Sequence, residues 1–92
     1  MIIRIMGEGQ LRVDDSALDE LNALDAGLEA AVDQRDEAAF EAALRALLAR
    51  ARQLGTELAP DEIEPSDLIL PREDATIEEV RELLGDEGLI PG

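Results

Sequence analysis

Cysteine, histidine, lysine, tyrosine and tryptophan are all absent from this 92-residue chain, and Phe40 is its one aromatic residue. Each absence closes something off. Without cysteine there is no disulfide and no thiolate zinc site, and the redox compartment is left open. Without histidine, lysine and tyrosine, the groups that most often carry general acid–base and nucleophilic catalysis are missing. The side-chain hydroxyls are Ser16, Thr56, Ser66 and Thr76. The chemistry that remains belongs to carboxylates, eight arginines and backbone amides, so a non-catalytic binding or adapter role with no cofactor and no metal is expected. Long apolar runs are absent too. The opening Met-Ile-Ile-Arg-Ile-Met is broken by Arg4 and followed at once by a glycine turn, so it reads as neither a signal peptide nor a membrane span. A cytoplasmic protein without direct membrane insertion is the expectation.

What is present is acid. Twenty-three Asp and Glu against the eight arginines leave a formal charge of −15, which speaks against nucleic acid or an anionic membrane as a direct partner and for a basic one. The plain account of the charge is solvation of helix surfaces, and neither a GC-rich genome nor adaptation to high salt is separable from it by composition. Hydrophobic content of 46% places the chain among globular proteins. One domain over residues 1–92 is expected, with a thin core of Leu, Ile, Val and Ala. Domains this small bury only somewhat more than about 60% of their unfolded surface, so self-association or partner support is in keeping.

Residues 1–6 and 10–14 alternate apolar and polar around Gly7-Glu8-Gly9, which predicts a β-hairpin. With Gly9 left-handed in a three-residue loop, Ile5 falls opposite Leu11 and Ile3 opposite Val13, at the cost of setting Arg4 against Arg12. Asp15 or Ser16 is expected to cap a helix with the stripe Leu18, Leu21, Leu24, Leu28 and Val32. Asp36 caps a second helix carrying Phe40, Leu44, Leu47, Ala51 and Leu54, with Gly55 as its C-terminal stop. The two form an antiparallel helical hairpin. Residues 56–71 read as a connector punctuated by Pro60, Pro65 and Pro71, with Leu68-Ile69-Leu70 as a short third strand. Asp74 or Thr76 caps a C-terminal helix over Ile77, Val80, Leu83 and Leu84, with Glu79 answering Thr76 in a capping box, and Gly85 ends it. The class is therefore α+β.

No motif rises above its structural explanation. Gly7-Glu8-Gly9-Gln10-Leu11-Arg12 lacks the third glycine and the strand-to-helix context of a dinucleotide fingerprint. Neither residues 61–72 nor 25–36 carry the alternating acids, central glycine and closing glutamate of an EF-hand loop. Glu78 and Glu82 are a surface pair with no cleft to work across. Among the arginines, Glu41 and Arg45 have helical ion-pair spacing, while Arg50 and Arg52 complement the helix dipole. For partner contact, the candidates are Ile2 and Met6 on the second face of an outer strand, open to strand addition or a homodimer, and Leu89 and Ile90 in the apolar tail.

Taken end to end, the N-terminal hairpin with its Gly-Glu-Gly turn, the run Pro65-Ser66-Asp67-Leu68-Ile69-Leu70-Pro71 and the closing Gly88-Leu89-Ile90-Pro91-Gly92 resemble the PspA-associated domain family, PspAA. The resemblance implies membership in a phage-shock-like envelope-stress system. The partner it implies is PspA, a coiled-coil membrane-remodelling protein, whose assembly or membrane attachment such a domain would modulate in trans. The chain would then be peripheral to the membrane through its partner. Two other classes are open: an acidic mimic of nucleic acid that occupies a DNA-binding protein, and a carboxylate-only metal-dependent hydrolase.

Overall fold

The computed structural model describes residues 1–59, 61, 62 and 64–84. Strands β1 (Ile2–Ile5) and β2 (Gly9–Arg12) form the hairpin, and a single 3-10 turn (Asp15–Ala17) leads into α1 (Leu18–Asp33). A three-residue link returns the chain as α2 (Glu37–Leu54), followed by β3 (Thr56–Glu57), β4 (Leu68–Leu70) and α3 (Ile77–Leu84). The described strands make one sheet in the order β3-β2-β1-β4. β1 pairs antiparallel with β2 but parallel with β4, and β2 pairs antiparallel with β3. The fold is α+β, with the helices packed on one face of the sheet through a single core.

The hairpin forms where the alternation places it, in a different register. Ile3 pairs with Leu11 and Ile5 with Gly9, so the loop is Met6-Gly7-Glu8. Glu8 N–H donates to the Ile5 carbonyl at 2.9 Å, and Gly7, at φ +86°, takes the left-handed place inside the loop while Gly9, at φ +128°, opens β2. A shift of two residues keeps every side chain on its own face. Ile3, Ile5, Leu11 and Val13 therefore remain buried, while Arg4 now faces Gln10 instead of Arg12. The like-charge contact disappears, which is the physical advantage of the observed register.

Helix α1 starts later than expected. Neither Asp15 nor Ser16 caps it: Ala17 stands at its N-cap with no side-chain bond, and Asp14 caps the preceding 3-10 turn, accepting Ser16 N–H at 2.9 Å. That bond holds the Asp14 carboxyl below its ordinary range. On α1 the buried set is Leu21, Asp25, Leu28, Ala31 and Val32, with Leu18 and Leu24 half-buried. On α2, Phe40, Leu44, Leu47, Leu48 and Ala51 are buried. Asp36 caps α2 as expected, accepting Ala39 N–H at 3.1 Å. Thr76 Oγ1 accepts Glu79 N–H at 3.2 Å to cap α3. Gly55 ends α2 as expected, in extended rather than left-handed geometry, φ −94° and ψ 161°. Its small size is what matters, because a Cβ there would lie 2.9 Å from Leu11 Cβ and 3.0 Å from the Ala51 carbonyl oxygen.

The left-handed residue is found one link earlier. Arg35 has φ +53°, with Asp36 N–H bonded to the Ala31 carbonyl and its own N–H to the Val32 carbonyl, both at 3.1 Å. This is the paired bonding that ends helices at a left-handed residue, usually glycine. Arg35→Gly is expected to raise stability by about 0.5–1 kcal/mol, since the left-handed strain removed (about 1–2 kcal/mol) exceeds the added unfolded-state entropy. A thermal melt checks it, and a lower melting temperature would contradict the geometry.

Candidate interaction surface

The helices occupy one face of the sheet, so the opposite face is where sequence and structure leave polar and apolar groups side by side. Alternation places Ile2, Arg4 and Met6 of the β1 segment there, with Gln10 and Arg12 of β2 and Ile69 of β4. Glu62, Glu64, Ser66 and Asp67 lie against part of this face. Gln10 Nε2 donates to the Glu64 carbonyl at 2.7 Å and to Ser66 Oγ at 2.9 Å. Arg12 donates to Glu62 at 3.3 Å and Glu64 at 2.9 Å. Ile2 N–H donates to Asp67 Oδ2 at 2.8 Å, and Asp67 N–H returns a bond to the Ile2 carbonyl at 2.8 Å.

This arrangement corrects the expectation for β1. It is an interior strand, flanked by β2 and β4, and Ile2 is only 7% exposed. Strand addition at β1 is therefore blocked. Met6 is the part of that pair left outside, at 44% exposure, and Ile69 stands at 49%. Met6 N–H donates to the Leu70 carbonyl at 3.0 Å, which prolongs the β1–β4 pairing, and Arg4 is in register with Ile69. Arg4, Met6 and Ile69 thus form one uncovered patch. Among the described residues, no carboxylate comes within ion-pair distance of Arg4. Ile69 was readable in principle: in a strand, Leu68 and Leu70 turn inward together and the residue between them turns out. A cleft of about 200 Å³ adjoins the patch, lined by Met6, Pro71, Arg72, Ala75, Glu79 and Glu82. Leu89 and Ile90 lie outside the described residues.

A larger cleft of about 570 Å³ lies between β2, Leu58 and the end of α2, with Ile5 and Leu11 among its apolar walls and Glu8 and Arg52 at its rim. Its lining holds no hydroxyl or thiol. Glu78 and Glu82 are both exposed, and the described residues gather no three acids placed to hold a metal ion. No helix among them is long and apolar enough to cross a membrane.

The arginines of α2 do more than complement its dipole. Arg50 reaches Glu20 of α1, with one contact at 3.2 Å, and Arg52 reaches Glu8 of the hairpin loop, with one contact at 2.9 Å. The expected Glu41–Arg45 pair is not formed among the described residues. Hydrogen bonds from these guanidinium groups hold the Glu8 and Glu20 carboxyls below the ordinary glutamate range. A lowered carboxyl adds stability that is complete above the unfolded value and is lost as pH falls through the folded one. Melting temperature, followed downward from pH 7 at fixed ionic strength, is expected to carry this loss below about pH 4.5. Glu8→Gln/Glu20→Gln should show a shallower acid-side dependence; an identical profile would mean the pairs do not persist in solution.

A family model, PspAA, described as PspA-Associated protein, matches residues 1–92. No curated protein and no solved structure matches the chain.

Proposed function

The chain belongs to the PspA-associated protein family, PspAA, and from that premise we propose that it is a non-catalytic adapter. It binds PspA, or another component of a phage-shock-like envelope-stress system, and modulates that partner's assembly or membrane attachment. The observation that carries this reading is the family match over the whole sequence. The residue inventory supports it, because a chain without His, Cys, Lys or Tyr has little with which to activate a nucleophile or shuttle a proton.

Charge supplies the mechanism. The family resemblance implies a partner that approaches anionic membranes through a basic amphipathic helix, and a compact domain of charge −15 offers that helix a competing anionic surface. Binding the adapter then lowers the partner's occupancy of the membrane. Attraction of this kind is screened over about 8–10 Å at physiological salt, so affinity should weaken and association slow as salt rises. The test measures affinity for purified PspA across a salt series, and liposome binding by PspA with and without this protein. Weaker binding at high salt together with less liposome-bound PspA is expected. Salt-independent affinity or unchanged liposome binding at saturation would overturn the competition, and absence of any PspA complex would overturn the adapter reading.

A further inference from the structure

The sheet face opposite the helices is half covered and half open, and the covered half shows what the face accepts. Over Ile2, Gln10 and Arg12 lies an acidic stretch of the chain, whose Glu62 and Glu64 engage Arg12 and whose Asp67 binds the Ile2 amide. The open half repeats that composition. Arg4 stands beside Met6 and Ile69, the large exposed hydrophobic residues of the described structure, and no carboxylate among the described residues answers it. Arg35, Arg45 and Arg81 likewise form no ion pair among the described residues; what sets Arg4 apart is its place on the sheet beside these two exposed apolar side chains.

Size decides what kind of occupant fits. Four strands spaced by about 4.8 Å, of at most four residues each, make a face of roughly 250 Å², of which part is already covered. A stable interface between two globular protomers needs about 800 Å² per partner, so a second copy of this domain is too large a demand on this patch alone. One helix, about 10–12 Å across with its side chains, matches it. A helix there would also complete a third layer on a sheet whose other face is already packed by helices.

We infer that the Arg4–Met6–Ile69 patch is the docking surface for one amphipathic helix of the PspA-class partner. The helix lays an apolar stripe on Met6 and Ile69 and presents a carboxylate to Arg4. This rests on the adapter reading and names the surface it uses. The contact is separate from the diffuse attraction of the acidic exterior for basic segments: the acidic surface steers encounter, and this patch sets the register of the complex.

The test uses the full-length chain and purified PspA, with affinity measured at fixed ionic strength. Arg4→Glu/Ile69→Thr reverses the cation and removes the apolar contact while keeping a β-branched residue in β4. It is expected to weaken binding at least about tenfold, the scale of an interface hot spot, with its melting temperature recorded to show that it folds. Arg45→Glu makes the same change of charge on an exposed part of α2 and should alter affinity no more than about twofold. Equal losses in the two variants, or no loss in the first, would overturn the inference and leave the adapter reading standing. Absence of any wild-type complex would overturn both. Backbone amide signals of Arg4, Met6 and Ile69 give the second readout, and they should move on addition of PspA. If Leu89→Ser/Ile90→Ser moves them without PspA, the chain's own C-terminal segment is the occupant. If they move with protein concentration alone, a second copy is. Either result would overturn the assignment.

Discussion

Phe40→Ala should leave the domain unfolded or nearly so at 25 °C. Phe40 is 3% exposed and belongs to the cluster that joins the sheet to all three helices. Removing a buried aromatic side chain costs about 3–5 kcal/mol. A domain of this length has a total stability on the order of 5–14 kcal/mol, and the lower end is appropriate for a core built almost entirely of aliphatic residues. Phe40 lies beside Ala75 and Ile77 at the start of α3, and an alanine has little spare bulk with which to fill the cavity. Chemical denaturation followed by circular dichroism measures the loss directly. Phe40→Leu retains most of the volume and should cost much less, under about 1.5 kcal/mol. If Phe40→Ala melts within a few degrees of the parent, the helical hairpin does not close on the sheet as described.

The second large effect is expected at β4. Leu70 is fully buried, whereas Ile69 beside it is 49% exposed, so Leu70→Ala should cost about 2–5 kcal/mol and Ile69→Ala no more than about 1 kcal/mol. The contrast between neighbours tests more than burial. It tests that the connector carries β4 to the side of β1 and lays it there in parallel, with Ile5 against Leu70. Equal costs at the two positions would mean that β4 does not occupy the sheet. The same pair of variants separates stability from recognition, because Ile69 belongs to the open patch and Leu70 to the core.

Much of the local structure was legible. The alternation around Gly7-Glu8-Gly9, the caps at Asp36 and Thr76 and the stripes of α1 and α2 each depend on groups within a few residues of one another, and all are found. Errors of detail came from the same short range. Asp14 caps a 3-10 turn that intervenes before α1, where Asp15 or Ser16 was expected to cap the helix directly, and the hairpin register was argued from a loop whose two glycines are both able to take positive φ. Glycine alone does not say which of them turns the chain. Asp25 illustrates a different limit: it falls on the buried face of α1 at 4% exposure, where an apolar stripe drawn through leucines passes over it.

By itself the amino-acid sequence determined the α+β class, the helical hairpin, the presence of a hairpin and a short extra strand, and the acidic character of the exterior. Those follow from periodicity, capping and composition, which act locally or as simple sums. Tertiary structure decided that β1 is interior, that Ile2 is buried while Met6 is exposed, and that Arg12, Arg50 and Arg52 are engaged by acids while Arg4, Arg35, Arg45 and Arg81 form no ion pair among the described residues. These outcomes depend on contacts such as Ile2 to Asp67, 65 residues apart, and Arg12 to Glu64, 52 apart. A strand of three residues can pair with either side of a hairpin on its own merits. Its place is chosen only when the connector, the inward-facing Leu68 and Leu70 and the helices behind them are satisfied together, and no window along the chain contains all of those terms.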